Sequence, residues 1–101
     1  MGTQSSITLL ELAQAIELGI QTALPNSYWV VAEISELTVN SKGHCFLELI
    51  EKPEHNETII AKLRATIWSY KFQLLQSYFY ASTGIHLQTG LKVLICVKVE
   101  F

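Results

Sequence analysis

The sequence predicts a mainly β domain with two helices, and three observations support this prediction. Residues 28–68 contain three runs with the two-residue period of β-strands, separated by polar segments. Residues 8–24 and 70–81 instead place apolar side chains at steps of three and four, which is the helical period. A fourth alternating run, at 93–100, follows the second helical segment. The predicted order is therefore helix, three strands, helix, strand.

The first helix is predicted to begin at Thr8 and to end before Pro25. Thr8 and Glu11 have the spacing of a capping box, in which each side chain satisfies a backbone N–H of the first turn. Pro25 disfavours helical backbone angles in the residue before it, so the helix stops there. The apolar stripe of this helix consists of Leu9, Leu12, Ala13, Ile16, Ile20 and Leu24.

The three strands are predicted to form a meander, in which each strand pairs with the next one along the chain. A turn at 38–43 joins the first two strands, and its Asn40 and Gly43 can adopt left-handed backbone angles. A longer polar loop that contains Pro53 joins the second strand to the third. The predicted strands are residues 28–37, 44–51 and 58–68.

Alternation along these strands divides the sheet into a core face and an outer face. The predicted core face carries Cys45, Leu47 and Leu49 from the second strand, and Ala61, Leu63, Ala65 and Ile67 from the third. The predicted outer face carries His44, Phe46, Glu48 and Ile50, and Lys62, Arg64, Thr66 and Trp68. Basic and aromatic side chains on one side of a sheet are typical of surfaces that bind single-stranded nucleic acid.

The second helix and the last strand indicate the fold. Ser69 can cap the start of this helix, and Gly84 lies just beyond its end. A turn at Thr89-Gly90 introduces the fourth strand, whose pattern still continues at Phe101. A helix between the third and fourth strands of a five-stranded Greek-key barrel defines the OB-fold. We therefore expect an OB-fold with an N-terminal helix, truncated before its fifth strand.

A barrel that lacks a strand leaves the edges of neighbouring strands unpaired, and open edges recruit other strands. The sequence thus predicts that the chain self-associates by edge pairing, or by exchange of a terminal segment.

Length and composition fit one domain. The chain has 101 residues and is 50% apolar, which suffices to bury a core. We expect residues 1–6 to form a disordered tail and residues 7–101 to form the folded domain. Cys45 and Cys96 have no partner at metal-ligand spacing, and we expect two buried free thiols in a reducing cytoplasm. No cofactor and no membrane contact are expected.

The net charge of −2 limits any nucleic-acid role, because independent nucleic-acid-binding domains are usually basic. Contact would have to be local, on one face, or supported by a larger protein. Six residues are candidates for it: Lys42, His44, Phe46, Lys62, Arg64 and Trp68.

Each candidate has a structural alternative. Lys62 and Arg64 can follow successive phosphates and Trp68 can stack on a base, or the three can form a solvated face. His44 could stack on a base or touch a phosphate, or it could hold the turn by a hydrogen bond to the turn backbone. Phe46 could stack on a base or pack under a loop.

An independent enzyme has no support in the sequence. Glutamates could approach each other on paired strands, but the chain contains no aspartate, and a metal or acid–base site is disfavoured. No serine or cysteine has a histidine at a recognisable catalytic spacing, and no glycine-rich phosphate loop is present. The glutamates concerned are Glu33, Glu36, Glu48 and Glu51.

Several segments together resemble one known family. They are Thr8-Leu9-Leu10-Glu11-Leu12, Trp29-Val30, Glu33-Ile34-Ser35, Gly43-His44 with Phe46-Leu47 and Leu49, the run from Ala61 to Trp68, and Gly90 with Lys92-Val93-Leu94-Ile95. Through them the chain resembles the N-terminal domain of the large subunit of bacterial exonuclease VII over almost its whole length. Three positions depart from the usual family pattern: Cys45 replaces a large aromatic residue, Ile50 a lysine and Ser69 an arginine.

The resemblance implies an OB-fold that binds single-stranded DNA and presents it to a catalytic region beyond Phe101. It also implies a parent exodeoxyribonuclease that pairs this large subunit with small subunits. The alternative is an assembly module that contacts another part of the enzyme or a partner subunit. The net charge of −2 and the aromatic residues Tyr78, Phe79 and Tyr80 favour that alternative.

Overall fold

The computed structural model describes residues 6–101, so most of the predicted disordered tail, residues 1–5, lies outside the described residues. The chain divides into two units, one that runs to Val30 and includes Cys96–Phe101, and one that is Val31–Ile95. The order of elements is the predicted one. The elements are α1 (Leu9–Ala23), β1 (Ser27–Val39), β2 (Cys45–Glu51), β3 (Ala61–Ile67), α2 (Ser69–Thr83) and β4 (Lys92–Lys98).

The predicted capping box at the start of α1 is confirmed. The Glu11 N–H donates to the Thr8 hydroxyl at 3.1 Å, and the Thr8 N–H donates to the Glu11 carboxylate at 3.3 Å. The helix ends at Ala23, two residues before Pro25. The apolar stripe is present, but α1 has no buried residue, and Leu9 and Ile16 are exposed.

The strands form one sheet with the order β3-β2-β1-β4. β1 and β2 pair antiparallel, as do β2 and β3, which confirms the predicted meander. β4 follows a turn whose backbone bonds to β1: the Gly90 N–H donates to the Ile34 carbonyl at 2.7 Å. The Ile34 N–H in turn donates to the Leu91 carbonyl at 2.8 Å. Among the described strands, β3 and β4 are the sheet edges.

Several predicted boundaries need correction. β1 continues through part of the predicted turn to Val39, and β3 is shorter than the predicted run 58–68. Trp68 follows β3 as the cap residue of α2. Strand alternation therefore does not determine on which side of the sheet its side chain lies. β4 ends at Lys98, although the alternating pattern continues to Phe101.

A β-bulge at Ser35 sets which side chains share a face. The register between β1 and β2 shifts between Ile34 and Glu36, so Ser35 is the extra residue. Residues three apart in a regular strand point to opposite faces. Because of the bulge, Glu33 and Glu36 are opposite Ile50 and Glu48, which lie two apart on β2 and therefore share one face.

The hydrophobic core lies in the unit Val31–Ile95. The predicted core residues of β2 are confirmed as buried, with Cys45 completely inaccessible. Ile50 is also buried although its alternation places it on the outer face. The core residues are Ala32, Ile34, Cys45, Leu47, Leu49, Ile50, Ile67 and Phe72.

Three positions predicted to be buried, Ala61, Leu63 and Cys96, are exposed. Leu63 lies on the core side of β3, but it is 75% exposed, whereas Ile67 on the same side of this strand is buried. Cys96 is exposed, so only Cys45 of the two free thiols is buried as predicted.

The two ends of α2 differ in their capping. At its C-terminus Gly84 adopts φ 78°, and its N–H donates to the Tyr80 carbonyl, which confirms the predicted glycine cap. At its N-terminus the prediction was wrong, because the cap residue is Trp68 and Ser69 is already helical. Trp68 makes no side-chain capping bond.

Candidate nucleic-acid interface

One side of the β1–β2–β3 region, termed the outer face, carries three rows of side chains that run across the strands. Residues directly opposite in antiparallel strands project to the same side of the sheet, so the register defines each row. The rows are Thr38, Phe46 and Thr66; Glu36, Glu48 and Arg64; and Glu33, Ile50 and Lys62.

The rows differ in charge. The first row is uncharged, the second has two carboxylates beside one guanidinium, and the third has one carboxylate and one ammonium. Two cations against three carboxylates leave the outer face with a formal charge of −1. The face predicted to be basic is therefore mixed, and the uncharged row is the part that least repels a phosphate backbone.

Lys62 and Arg64 occupy different electrostatic settings. The Lys62 Nζ lies 3.7 Å from the Glu48 carboxylate, which also accepts a hydrogen bond from the Ser35 hydroxyl at 2.8 Å. Arg64 is exposed and forms no ion pair with any residue between 6 and 101. Arg64 is thus the cation of the outer face that is available to an anionic ligand.

Of the aromatic candidates, Phe46 lies in the uncharged row, and Trp68 follows Ile67 just beyond that end of β3. Phe46 belongs to the first row and is 40% exposed. Trp68 is 50% exposed, and its ring meets the His44 ring edge-on, with centroids 5.0 Å apart at 89°. The structure brings His44 and Trp68 into contact and leaves both Phe46 and Trp68 accessible for stacking.

The structure gives His44 a partner that the sequence did not predict. Its Nδ1 accepts a hydrogen bond from the Ser69 N–H at 3.0 Å, so the ring bonds to the start of α2 and not to the turn. The turn is held by Asn40, whose side-chain oxygen accepts from the N–H groups of Lys42 and His44, each at 3.0 Å. Asn40 and Ser69 were missed as supporting residues, although Asn40 was recognised as a turn residue.

Lys42 lies at the tip of this turn. Its side chain is exposed and has no ion-pair partner in the part of the chain that the structure describes. Lys42 therefore resembles Arg64, and differs from Lys62, in carrying an uncommitted charge.

A group of ion pairs surrounds Lys52, just after β2. The Lys52 Nζ lies 3.0 Å from the Glu57 carboxylate and 3.6 Å from that of Glu33. The hydrogen bond to Glu57 and the field of Glu33 raise the pKa of Lys52, so this residue stays charged. The positive charge of Lys52 therefore partly offsets the negative charge of Glu33, which lies in the third row of the outer face.

The described residues give no sign of a metal or catalytic centre. Between residues 6 and 101 no three His, Cys, Asp or Glu side chains are placed to hold a metal ion. Burial raises the pKa of the Cys45 thiol, which disfavours the reactive thiolate. Among residues 6–101, neither α1 nor α2 is long and apolar enough to cross a membrane.

A sheet with a helix between its third and fourth strands is the arrangement of the OB-fold, a class of domain that often binds nucleic acid. Residues 7–101 match the family described as OB-fold nucleic acid binding domain, and the chain belongs to this family. The predicted OB-fold is thereby confirmed.

Among individual proteins, the chain is similar to the exodeoxyribonuclease 7 large subunit of Deinococcus radiodurans, with 34% identity over 99 residues. This match covers 94% of the chain but 23% of that protein, so the chain spans about a quarter of the relative's length. It confirms the resemblance to the exonuclease VII large subunit. No solved structure matches the chain.

Proposed function

We propose that the chain is a single-stranded DNA-binding domain of an exonuclease VII large subunit, which presents the strand to a catalytic region outside this chain. The observation that supports the proposal most is the presence of two exposed aromatic residues, Phe46 in the uncharged row and Trp68 just after β3, with unpaired Arg64 in the next row. Similarity to an exodeoxyribonuclease large subunit supports DNA as the nucleic acid.

The contacts follow from the chemistry of the outer face. Bases stack on Phe46 and Trp68, and each such contact contributes roughly 1–3 kcal/mol. Arg64 and Lys42 supply the counter-charge for phosphates. The glutamates of the other two rows repel the backbone there, which keeps the strand at the uncharged end and limits the affinity of the isolated domain.

The proposal extends to the setting of the domain. The domain itself contributes binding and requires no cofactor. The whole protein acts as the large subunit of a cytoplasmic exodeoxyribonuclease together with a small subunit. The relative's name, a large subunit, supports the existence of a partner subunit.

A fluorescence titration with oligo-thymidine tests the proposal. Trp29 is replaced by Phe so that emission reports Trp68 alone, and the titration is run at two salt concentrations. We expect quenching of Trp68 and an affinity that falls with salt, because bound phosphates release counterions. A duplex of equal length is the control, and equal affinity for duplex and single strand would contradict the proposal.

Assembly through α2 is the second candidate function. Tyr70, Leu74 and Tyr78 recur at steps of four on this helix, opposite buried Phe72, and all three are strongly exposed. Of the predicted trio, Tyr78 is 77% exposed, Phe79 is half-buried, and Tyr80 stacks on His86 at 4.5 Å. An exposed apolar row on a helix is typical of a protein contact.

Replacing surface residues of α2 separates the two functions. In the full-length large subunit, Tyr70→Ser with Tyr78→Ser should reduce co-purification with the small subunit and leave oligo-thymidine binding unchanged. A matched double change on the outer face, Phe46→Ser with Trp68→Ser, should do the reverse. If the α2 variant lost DNA binding while the Phe46→Ser, Trp68→Ser variant kept it, the assignment of binding to the outer face would be overturned.

A further inference from the structure

We propose that His44 is a positioning residue, which fixes the stacking platform Trp68 and the start of α2 and does not itself contact the nucleic acid. The inference rests on the proposed function, because it names how one residue of that site acts. It concerns the contact between the turn at 40–44 and the first residues of α2.

The first step is the hydrogen bond from Ser69. The first N–H groups of a helix have no intrahelical partner and are normally capped by a nearby side chain. Trp68, the cap residue of α2, has no side chain suited to this, and it makes no capping bond. The His44 Nδ1, 25 residues away in sequence, accepts from the Ser69 N–H instead.

The second step concerns the ring itself. Because Nδ1 accepts a hydrogen bond, it carries no proton, and the proton of the neutral ring lies on Nε2. The same ring packs edge-on against Trp68 at 5.0 Å. His44 thus holds both the backbone just after Trp68 and the indole ring.

The third step is how His44 is held in its own place. The His44 N–H donates to the Asn40 side chain at 3.0 Å. Gly43 adopts φ 85°, and a Cβ at this position would lie 3.2 Å from the Ser69 Cβ. The Gly43-His44 pair therefore has a physical reason: glycine allows α2 to approach the turn closely, and histidine makes the bond across the contact.

Two substitutions distinguish positioning from direct contact. The side-chain oxygen of His44→Asn can occupy the place of Nδ1 and accept from Ser69, whereas the longer His44→Gln places its polar group near Nε2. If His44 positions Trp68, Asn keeps the bond to Ser69 but not the ring contact, and it should lose less oligo-thymidine binding than Gln. Gln should lose about tenfold, equivalent to about 1.4 kcal/mol. The salt dependence should stay that of the parent for both, since no phosphate contact is lost.

The reverse ranking, with Gln retaining binding and Asn losing both affinity and salt dependence, would overturn the proposal. Equal losses for both variants with a lowered salt slope would overturn it as well, because they indicate a phosphate contact.

A double-mutant cycle with Trp68 supplies the second readout. If His44 acts through Trp68, His44→Gln should weaken binding in the parent but have no further effect in Trp68→Ala. Additive losses would show that His44 acts independently and would overturn the inference.

A third measurement does not depend on DNA binding at all. In the Trp29→Phe protein, Trp68 emission and anisotropy should change more on His44→Gln than on His44→Asn, because both lose the ring contact and only Asn can keep the bond to Ser69. If the parent fails to bind oligo-thymidine, the proposed function fails, yet this measurement still decides whether His44 positions Trp68. Unchanged Trp68 emission in a folded His44→Gln protein would contradict the positioning role.

Discussion

The Lys62 ammonium lies 3.7 Å from the Glu48 carboxylate, although the strand register places Arg64 directly opposite Glu48. This diagonal pair commits one of the two cations of the outer face and leaves the other free. The pair is partly exposed, so it adds little stability, typically less than about 1 kcal/mol. Its importance lies in the charge that a DNA backbone would meet on this face.

Removing the Glu48 charge should strengthen DNA binding. Glu48→Gln frees Lys62 and removes a repulsive carboxylate, while the amide oxygen can still accept from Ser35. We expect tighter oligo-thymidine binding at low salt, by up to about 1 kcal/mol, and a steeper salt slope.

The matched control for this change is Glu51→Gln. Glu51 lies on the same strand, is opposite Ala61 and therefore projects from the other side of the sheet. Glu51→Gln should leave DNA binding and its salt slope unchanged. An equal gain in affinity from Glu48→Gln and Glu51→Gln would mean that only the net charge of the domain matters.

The two cations of the outer face should contribute unequally. Arg64→Ala should lower the salt slope by about 0.7, the value for one phosphate contact on a single strand. Lys62→Ala should lower it less because its ammonium already pairs with Glu48, and the double variant should flatten the slope most. Titrations at several salt concentrations measure the slopes, with Lys71→Ala on α2 as the control for loss of one charge. A double variant that binds as well as the parent would show that these cations form only a solvated face.

Local periodicity was sufficient to predict the elements and the buried residues of β2. Alternation identified Cys45, Leu47 and Leu49 as core, and the switch of period identified both helices. It failed for Leu63, because burial on an edge strand depends on what covers that strand and not on its own pattern.

The charge of the outer face could not be predicted, since it depends on a bulge and on strand register. Glu33 and Glu36 are three apart, and only the extra residue Ser35 places them on one side. The bond between His44 and Ser69 spans 25 residues and belongs to no periodic pattern. The sequence therefore indicates the six candidate residues, but the ion pair of Lys62 and the hydrogen bond of His44 are visible only in the structure.

The close approach at Gly43 should make this glycine the most sensitive one in the domain. Gly43→Ala imposes a side chain at φ 85° and places its Cβ 3.2 Å from Ser69. Gly84→Ala imposes similar backbone strain at φ 78°, but nothing lies within 4 Å of its Cβ. The strain costs roughly 1–2 kcal/mol at either site, and the contact at Gly43 adds on the order of 1 kcal/mol. Urea unfolding of both variants measures the difference, and equal destabilisation would show that Ser69 moves aside freely.

The two thiols should differ in reactivity. Cys45 is inaccessible and burial raises its pKa, whereas Cys96 is exposed. At pH 8 a disulfide reagent such as DTNB should modify Cys96 in the folded protein and reach Cys45 only after denaturant is added. Cys96→Ser is the control, and rapid modification of that variant without denaturant would contradict the burial of Cys45.

The raised pKa of Cys45 also predicts a pH dependence of stability. The folded state favours the protonated Cys45 thiol, so the contribution of this thiol to the free energy of unfolding is fully present at neutral pH. The contribution is lost as pH rises above the ordinary thiol pKa of about 8.5, where the unfolded chain ionises. Unfolding free energies at pH 7 and pH 9.5 for the parent and Cys45→Ala should show a smaller decline in the variant. Equal declines would assign the pH effect to other groups.

The open edges of the sheet should determine self-association. β3 and β4 are the edges of the described sheet, and each carries an exposed leucine, Leu63 and Leu94. A charged side chain at a strand edge opposes pairing with another chain, so Leu63→Lys and Leu94→Lys should lower association in sedimentation experiments. Leu74→Lys on α2 adds the same charge at a similarly exposed leucine that is not on a strand, and it should have no effect. A parent that stays monomeric at high concentration would contradict edge pairing, and loss of association only in Leu74→Lys would assign it to the helix.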